Sequence, residues 1–186
     1  DRFSAVINTT LALPLMKTVP AVTTGATPLA ALKFDRQLTP TLDLALGTVS
    51  GSVGETSTVL ILLGGLYLAW REMLDWRIPV GILATVFLLS GLFYLIDHSY
   101  PPPLFMLLSG GLMLGAVYMA TDMVTSPVTP LGVWIFAFFI GALTVIIRIW
   151  GGLPEGVMYA ILLANGLTPL INLYTQPRIY GERKKS

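Results

Sequence analysis

The sequence predicts an all-α, polytopic helical membrane protein, and three observations support this prediction. Apolar residues make up 54% of the 186 residues. Charged residues make up only 11%, against about 25% in a typical soluble domain. The few charges also leave five long runs that contain no charged residue. Buried helices of a soluble protein carry charged faces, so this pattern excludes an ordinary soluble enzyme and a disordered tail.

The uncharged runs have lengths that suit helices crossing a bilayer. A helix of about 19 residues covers roughly 28 Å, close to the thickness of the hydrocarbon core. The sequence therefore predicts about five transmembrane helices, at residues 56–70, 78–96, 103–121, 123–147 and 156–176.

Basic residues predict the orientation of these helices. Six of the eleven lie in the loop after the first span and in the C-terminal tail, as Arg71, Arg77, Arg178, Arg183, Lys184 and Lys185, and four lie in the N-terminal segment, as Arg2, Lys17, Lys33 and Arg36. Five spans place the loop and the tail on one side, which the positive-inside rule assigns to the cytoplasm. We therefore expect an outer extramembrane segment at 1–43, a transmembrane domain at 44–176 and a cytoplasmic tail at 177–186. The chain begins at Asp1 without a signal-peptide pattern, so we interpret it as part of a larger membrane protein, with removal of an N-terminal part by processing as the alternative.

Charge and composition restrict the chemistry that the chain can perform. Eleven basic and ten acidic residues give a net charge of +1, which offers no field to attract a nucleic acid. There is no cysteine and a single histidine, His98, so thiolate-held iron centres and a bis-histidine haem within the chain are excluded. We find no motif for a metal site, a nucleotide-binding loop or a catalytic centre for hydrolysis.

Two glycine-rich stretches that lie one hundred positions apart share a pattern. Gly51 and Glu55 precede the first span, and Gly151 and Glu155 precede the last. Glycine allows a sharp turn, and a glutamate in the first turn of a helix faces the positive end of the helix dipole. Two interpretations stay open. These are capped helix starts, or broken helices that line a transport pathway.

Asp122 is an ionisable group next to the third predicted span, and Thr125 and Ser126 follow it. Ionisable groups at membrane depth are costly and often functional. One interpretation is a local turn at a helix end, and the other is a cation, proton or cofactor site. For Arg148, at the end of the fourth span, the alternatives are an ion pair with Glu155 or another anionic group, and an interfacial anchor.

Residues 23–29 read TTGATPL, a turn of small residues that presents a hydroxyl group at Thr27. This stretch resembles the flavin-attachment motif in membrane subunits of ion-pumping redox complexes. The resemblance implies that the hydroxyl oxygen of Thr27 is joined to the phosphate of FMN by a phosphoester bond. Thr24, Gly25 and Ala26 complete the motif, and the two small residues give a flavin transferase access to the hydroxyl.

Three further motifs extend this resemblance, namely GSVGETS at 51–57, YMATDMVTSP at 118–127 and IRIWGGLPEGV at 147–157. Together the four motifs resemble the C-terminal half of the D subunit of the Rnf complex. The B subunit of the sodium-pumping NADH:quinone oxidoreductase is related. The architecture implied is similar to urea-transporter-like channels, which favours the broken-helix interpretation.

The resemblance also implies a function. An Rnf complex passes electrons between reduced ferredoxin and NAD⁺ and couples this to Na⁺ or H⁺ movement across the bacterial inner membrane. The chain would be one subunit of this oxidoreductase without a complete active site. Its partners would be membrane subunits A and E, the flavoprotein G subunit on the outer side and cytoplasmic subunits B and C.

The resemblance also implies a second binding site. It would hold either a riboflavin without a covalent bond or an ion, near Asp122, Thr125 and Ser126, or near Glu55 and Glu155. The alternative functions are a urea-transporter-like solute permease that needs no flavin, and a purely structural membrane subunit.

Overall fold

The computed structural model describes residues 27–35, 38–47, 49 and 57–177, and these ranges contain helices and no strand. The helices are α1 (Pro28–Ala30), α2 (Thr41–Leu46), α3 (Thr58–Trp70), α4 (Arg77–Ile96), α5 (Pro103–Leu108), α6 (Leu112–Leu114), α7 (Pro130–Trp150) and α8 (Val157–Thr175). Two π-helical turns, Ala31–Asp35 and Gly115–Met119, follow α1 and α6 directly. The predicted all-α class is confirmed.

Within the described ranges, three helices are long and apolar enough to cross a membrane. They are α4, α7 and α8, with 20, 21 and 19 residues. These helices correspond to the second, fourth and fifth predicted spans. Much of their surface is exposed and apolar, as expected of helices that face lipid or another part of a membrane complex. The structure therefore confirms a polytopic helical membrane protein.

Helices α4 and α7 run parallel and pack closely. The rings of Phe93 and Trp150, near the ends of the two helices, meet edge to face with centroids 5.2 Å apart. Near the start of α4, the backbone at Gly81 faces Ala137 of α7. Helices in a membrane gain no hydrophobic driving force from associating, so small residues that permit close backbone approach dominate such contacts.

The third predicted span is broken, so the prediction of one continuous helix over 103–121 was wrong. Helix α5 ends at Leu108, Ser109 has an extended backbone, and Gly110 has a positive φ of 66°. The chain resumes as α6 and the π-helical turn Gly115–Met119. The left-handed conformation at Gly110 suits glycine, and it interrupts the helix because helical residues need negative φ.

The fourth predicted span began too early, and the first corresponds to a short helix. Helix α7 begins at Pro130 rather than at 123, because the Thr129 side chain caps its first turn and proline suits that position. Helix α3 has 13 residues and begins at Thr58, since Ser57 is extended. It follows the short helix α2 in the chain, and the C-cap residue of α2, Gly47, has a φ of 85°.

Candidate functional site

The Thr27 hydroxyl stands at the start of a short helical segment. Thr27 is the N-cap residue of α1, and its Oγ1 accepts a hydrogen bond from the backbone N–H of Ala30 at 3.4 Å. The residue is partly exposed. The helical conformation continues without interruption through the π-helical turn Ala31–Asp35. The preceding motif residues Thr24, Gly25 and Ala26 lie outside the described residues.

Apolar contacts attach this segment to the helix bundle. Leu29 is buried and belongs to a small cluster with Leu44 of α2 and Phe105 of α5. Leu32 packs against the same cluster from its edge. The segment that begins at Thr27 is therefore part of the packed structure around α5.

A lysine attaches the same segment to the C-terminal end of α7. Lys33 Nζ donates hydrogen bonds to the carbonyl oxygens of Leu153 at 2.8 Å and of Arg148 at 3.4 Å. A third acceptor is the carbonyl oxygen of Gly151. The final carbonyls of a helix have no partner within the helix and carry partial negative charge, so an ammonium group is favourable there.

These contacts place Thr27 at one end of the bundle. Lys33 marks the end where α7 finishes, and the contact of Phe93 with Trp150 shows that α4 finishes there as well. Helix α4 begins at Arg77, at the opposite end, close in sequence to Arg71. Thr27 and the basic loop at 71–77 therefore lie at opposite ends of the bundle.

A pocket of about 440 Å³ opens beside the Thr27 segment. Its walls come from the segment, from the loop after α4, from α5 and from the end of α7, with Leu29, Leu32, Lys33, Leu38, Ser99, Tyr100, Pro101, Met106, Arg148, Ile149 and Pro154. Most of these side chains are apolar, and Lys33 and Arg148 bring two positive charges.

Arg148 lies inside the bundle, where it reaches the break in the third span. Its side chain is only 7% exposed. Nη1 donates to the carbonyl oxygen of Met106 at 2.5 Å and Nη2 to that of Ser109 at 3.0 Å. A Cβ atom at Gly110 would lie 3.4 Å from Arg148 Nη2 and 3.2 Å from Glu155 Oε1, so both side chains reach the break. The interpretation of Arg148 as an interfacial anchor was therefore wrong, because its guanidinium caps a buried helix end.

Asp122 forms a local turn at the other end of α7. Its side chain is exposed; Oδ2 accepts a hydrogen bond from Thr125 Oγ1 at 3.2 Å and Oδ1 one from the N–H of Val124 at 3.3 Å. Its carbonyl accepts from the N–H of Ser126 at 3.1 Å.

The structure does not bring Asp122 and Glu155 together. The 21 residues of α7 separate them, a length of roughly 30 Å. Glu55, the third carboxylate considered for this role, lies outside the described residues. Within the described ranges, no group of three or more His, Cys, Asp or Glu residues could hold a metal ion. A second flavin or an ion at Asp122 or at Glu155 stays a prediction.

Residues 4–181 match the family model described as the NQR2, RnfD, RnfE family. The chain belongs to this family. The match covers the Thr27 motif, the broken span with Asp122 and the stretch at 147–157, so the resemblance inferred from these motifs is confirmed.

Relatives with curated names support the D-subunit branch of the family. The chain is 48% identical to the D subunit of the proton-translocating ferredoxin:NAD(+) oxidoreductase complex of Clostridium ljungdahlii, over 89% of the chain and 53% of the relative. It is 45% identical to the D subunit of the Na(+)-translocating ferredoxin:NAD(+) oxidoreductase complex of Acetobacterium woodii, over 96% of the chain and 54% of the relative. The chain thus spans about half the length of these proteins.

Two features of the site had weak signals in the sequence. The break in the third span is marked only by Ser109 and the paired glycines after it, inside an otherwise apolar run. Lys33 is close to Thr27 in the chain, but its acceptors lie 115 to 120 residues further on. A single sequence contains no signal for a contact over that separation.

Proposed function

We propose that Thr27 carries FMN through a phosphoester bond and that the chain relays electrons within an Rnf-type ferredoxin:NAD⁺ oxidoreductase. One observation supports this above all others. The last hydroxyl of the TGAT motif is partly exposed at a helix start, on a segment that is packed against the bundle. A cofactor attached there would have a defined position and remain accessible from outside the bundle.

The surroundings of Thr27 fit such a group. Thr27 Oγ1 acts as an acceptor towards Ala30, and an ester oxygen at the same position keeps that capacity. The pocket of about 440 Å³ begins two residues further along the segment, at Leu29. Its apolar walls suit a flat aromatic ring system, as in most cofactor sites.

The flavin would supply the electron-transfer chemistry, since the chain has no cysteine and one histidine. The residues around the pocket have other tasks. Leu29 and Leu32 supply apolar surface on the side of the pocket that the Thr27 segment forms. Lys33 places positive charge at the pocket, which favours a bound group that gains electrons and negative charge.

The names of the relatives suggest the setting of this relay. We propose that the chain works with the other Rnf subunits, A, B, C, E and G, in the inner membrane of a bacterium. Electron transfer would be coupled there to Na⁺ or H⁺ movement. The basic residues favour a cytoplasmic C-terminus, and Thr27 then lies on the outer side. Electrons that start in the cytoplasm would have to cross the bilayer before they reach Thr27.

One feature supports a second candidate function, a solute permease. The break at Ser109 and Gly110 is the kind of discontinuous helix that lines the pathway of many transporters. A permease needs no flavin. Purified protein that is colourless after denaturation and that equilibrates a small solute across liposomes would favour this function over electron transfer.

The decisive experiment is the intact mass of the full-length protein from assembled complexes, with and without substitutions at Thr27. Wild-type protein should carry the added mass of FMN. Thr27→Asn removes the hydroxyl but keeps an oxygen that can cap α1, so the segment should stay folded while FMN is lost. Thr23→Val removes a neighbouring hydroxyl and should keep the FMN. Covalent flavin on the Thr27→Asn protein would contradict the assignment.

A further inference from the structure

The Lys33 ammonium group donates its hydrogen bonds to carbonyl oxygens at the end of α7 and in the loop that follows it. A lysine ammonium offers three N–H donors, and three carbonyl oxygens surround it, those of Arg148, Gly151 and Leu153. Hydrogen bonds from charged donors are stronger than neutral ones. The side chain is also half-buried, so bulk water screens this contact less than it would screen a surface ion pair.

Arg148 is the basic residue in the last turn of α7 itself, and it is buried. Its guanidinium points to the carbonyl oxygens of Met106 and Ser109 at the break in the third span. The end of α7 therefore takes its compensating charge from a distant part of the chain, the segment that begins at Thr27. The contact that stabilises α7 also holds the segment in place.

Lys33 and Leu29 hold this segment on two sides. Leu29 packs on Leu44 and Phe105, and Lys33 binds the end of α7. Thr27 precedes Lys33 by six residues of helical chain, roughly 9 Å along the axis. The position of the Thr27 hydroxyl relative to α7 thus depends on both contacts, and Lys33 supplies the polar one.

We propose that Lys33 is a positioning residue for the flavin on Thr27, and this inference rests on the proposed function. Electron transfer requires a fixed separation and orientation between donor and acceptor groups. Lys33 provides this by attaching the flavin-bearing segment to the rigid end of a membrane-spanning helix. Removing the ammonium group leaves the hydroxyl of Thr27 and its motif intact, so attachment of FMN continues while the ring gains freedom.

The test compares Lys33→Met, Lys33→Arg and Asp35→Asn in assembled complexes of the full-length protein. Asp35 lies on the same segment with an exposed side chain, so Asp35→Asn controls for a change of one charge nearby. Lys33→Met should retain FMN by intact mass. We expect the undocked fraction of its segment to rise by about tenfold, because charge-assisted hydrogen bonds are lost.

Flavin fluorescence reports this change directly. Lys33→Met should lower the fluorescence anisotropy of the flavin and raise its quenching by iodide. Lys33→Arg, which keeps a cation and several donors, should restore much of both signals, and Asp35→Asn should leave them unchanged. Lys33→Met protein with wild-type anisotropy and wild-type quenching would overturn the proposal.

A second measurement separates this proposal from the assignment of the flavin. Phe34 is exposed on the same segment, so a nitroxide label on Phe34→Cys reports segment mobility whether or not flavin is present. Wild-type protein without FMN would contradict both the attachment of FMN to Thr27 and the role of Lys33 in positioning it. The mobility of the label would still show whether Lys33 fixes the segment. Wild-type protein with FMN and unchanged label mobility in Lys33→Met would defeat the Lys33 proposal alone.

Discussion

Replacing Gly81 by alanine should separate α4 from α7. A Cβ at Gly81 would lie 2.6 Å from the Cβ of Ala137, and one at Gly141 would lie 2.7 Å from the Cβ of Thr85. Carbon atoms in contact prefer separations of about 3.5–4.0 Å, so the helices would have to move apart by roughly 1 Å. No side-chain rotation relieves these contacts, because each joins the first side-chain atoms of two helices.

The expected cost follows from two opposing terms. Forcing an extra carbon into a packed contact costs about 1–3 kcal/mol. Alanine is favoured over glycine within a helix by about 1 kcal/mol, which offsets part of this cost. Gly166 of α8 provides the matched control, since a Cβ there meets nothing within 4 Å. The free energy of unfolding of Gly81→Ala should therefore fall below that of Gly166→Ala by about 2 kcal/mol.

Thermal unfolding of the full-length protein in detergent measures this difference. For a protein about twice as long as this chain, as its curated relatives are, about 2 kcal/mol corresponds to a midpoint lowered by roughly 3 °C. Gly141→Ala should behave like Gly81→Ala, whereas Gly166→Ala should match or exceed the wild type. Equal midpoints for Gly81→Ala and Gly166→Ala would refute the close packing of α4 on α7.

Two further predictions concern polar contacts at the ends of α7. Arg148→Met leaves the carbonyl oxygens of Met106 and Ser109 without their donors, so we expect a loss of about 1–3 kcal/mol for each buried group. Thermal unfolding measures this, and a midpoint equal to wild type would show that the guanidinium does not cap the break. Thr129→Ala removes the N-cap bond to Gly132 and should cost about 1 kcal/mol, whereas Thr129→Ser should cost less. The same assay tests this ranking, which equal midpoints would contradict.

The fold class and the long spans could be predicted because they depend on composition. Helices α4, α7 and α8 each contain a long uncharged run, and such runs are stable in a membrane as helices. The break at Ser109 could not be predicted in this way, because glycine and serine change the hydropathy of the run very little. The positive φ of Gly110 is a backbone property that hydropathy does not report.

The candidate site was predictable only in part, for a similar reason. The motif at Thr27 is local in sequence, and so is the turn that Asp122 forms with Thr125. The roles of Lys33 and Arg148 depend on carbonyl oxygens far away in the chain, at α7 and at the break. Charge near a predicted span end indicated an interface, but burial and partners are set by packing that one sequence does not show.

The short helix α3 has a consequence for the bilayer around the protein. Its 13 residues extend over roughly 20 Å, about two thirds of the hydrocarbon thickness of a membrane. Thr58, at its first turn, is buried and donates to the carbonyl oxygen of Leu44, so this polar end is satisfied within the protein. Such hydrophobic mismatch favours a locally thinner membrane on this flank. A membrane that thins there would narrow the insulating layer that charge must cross beside α3.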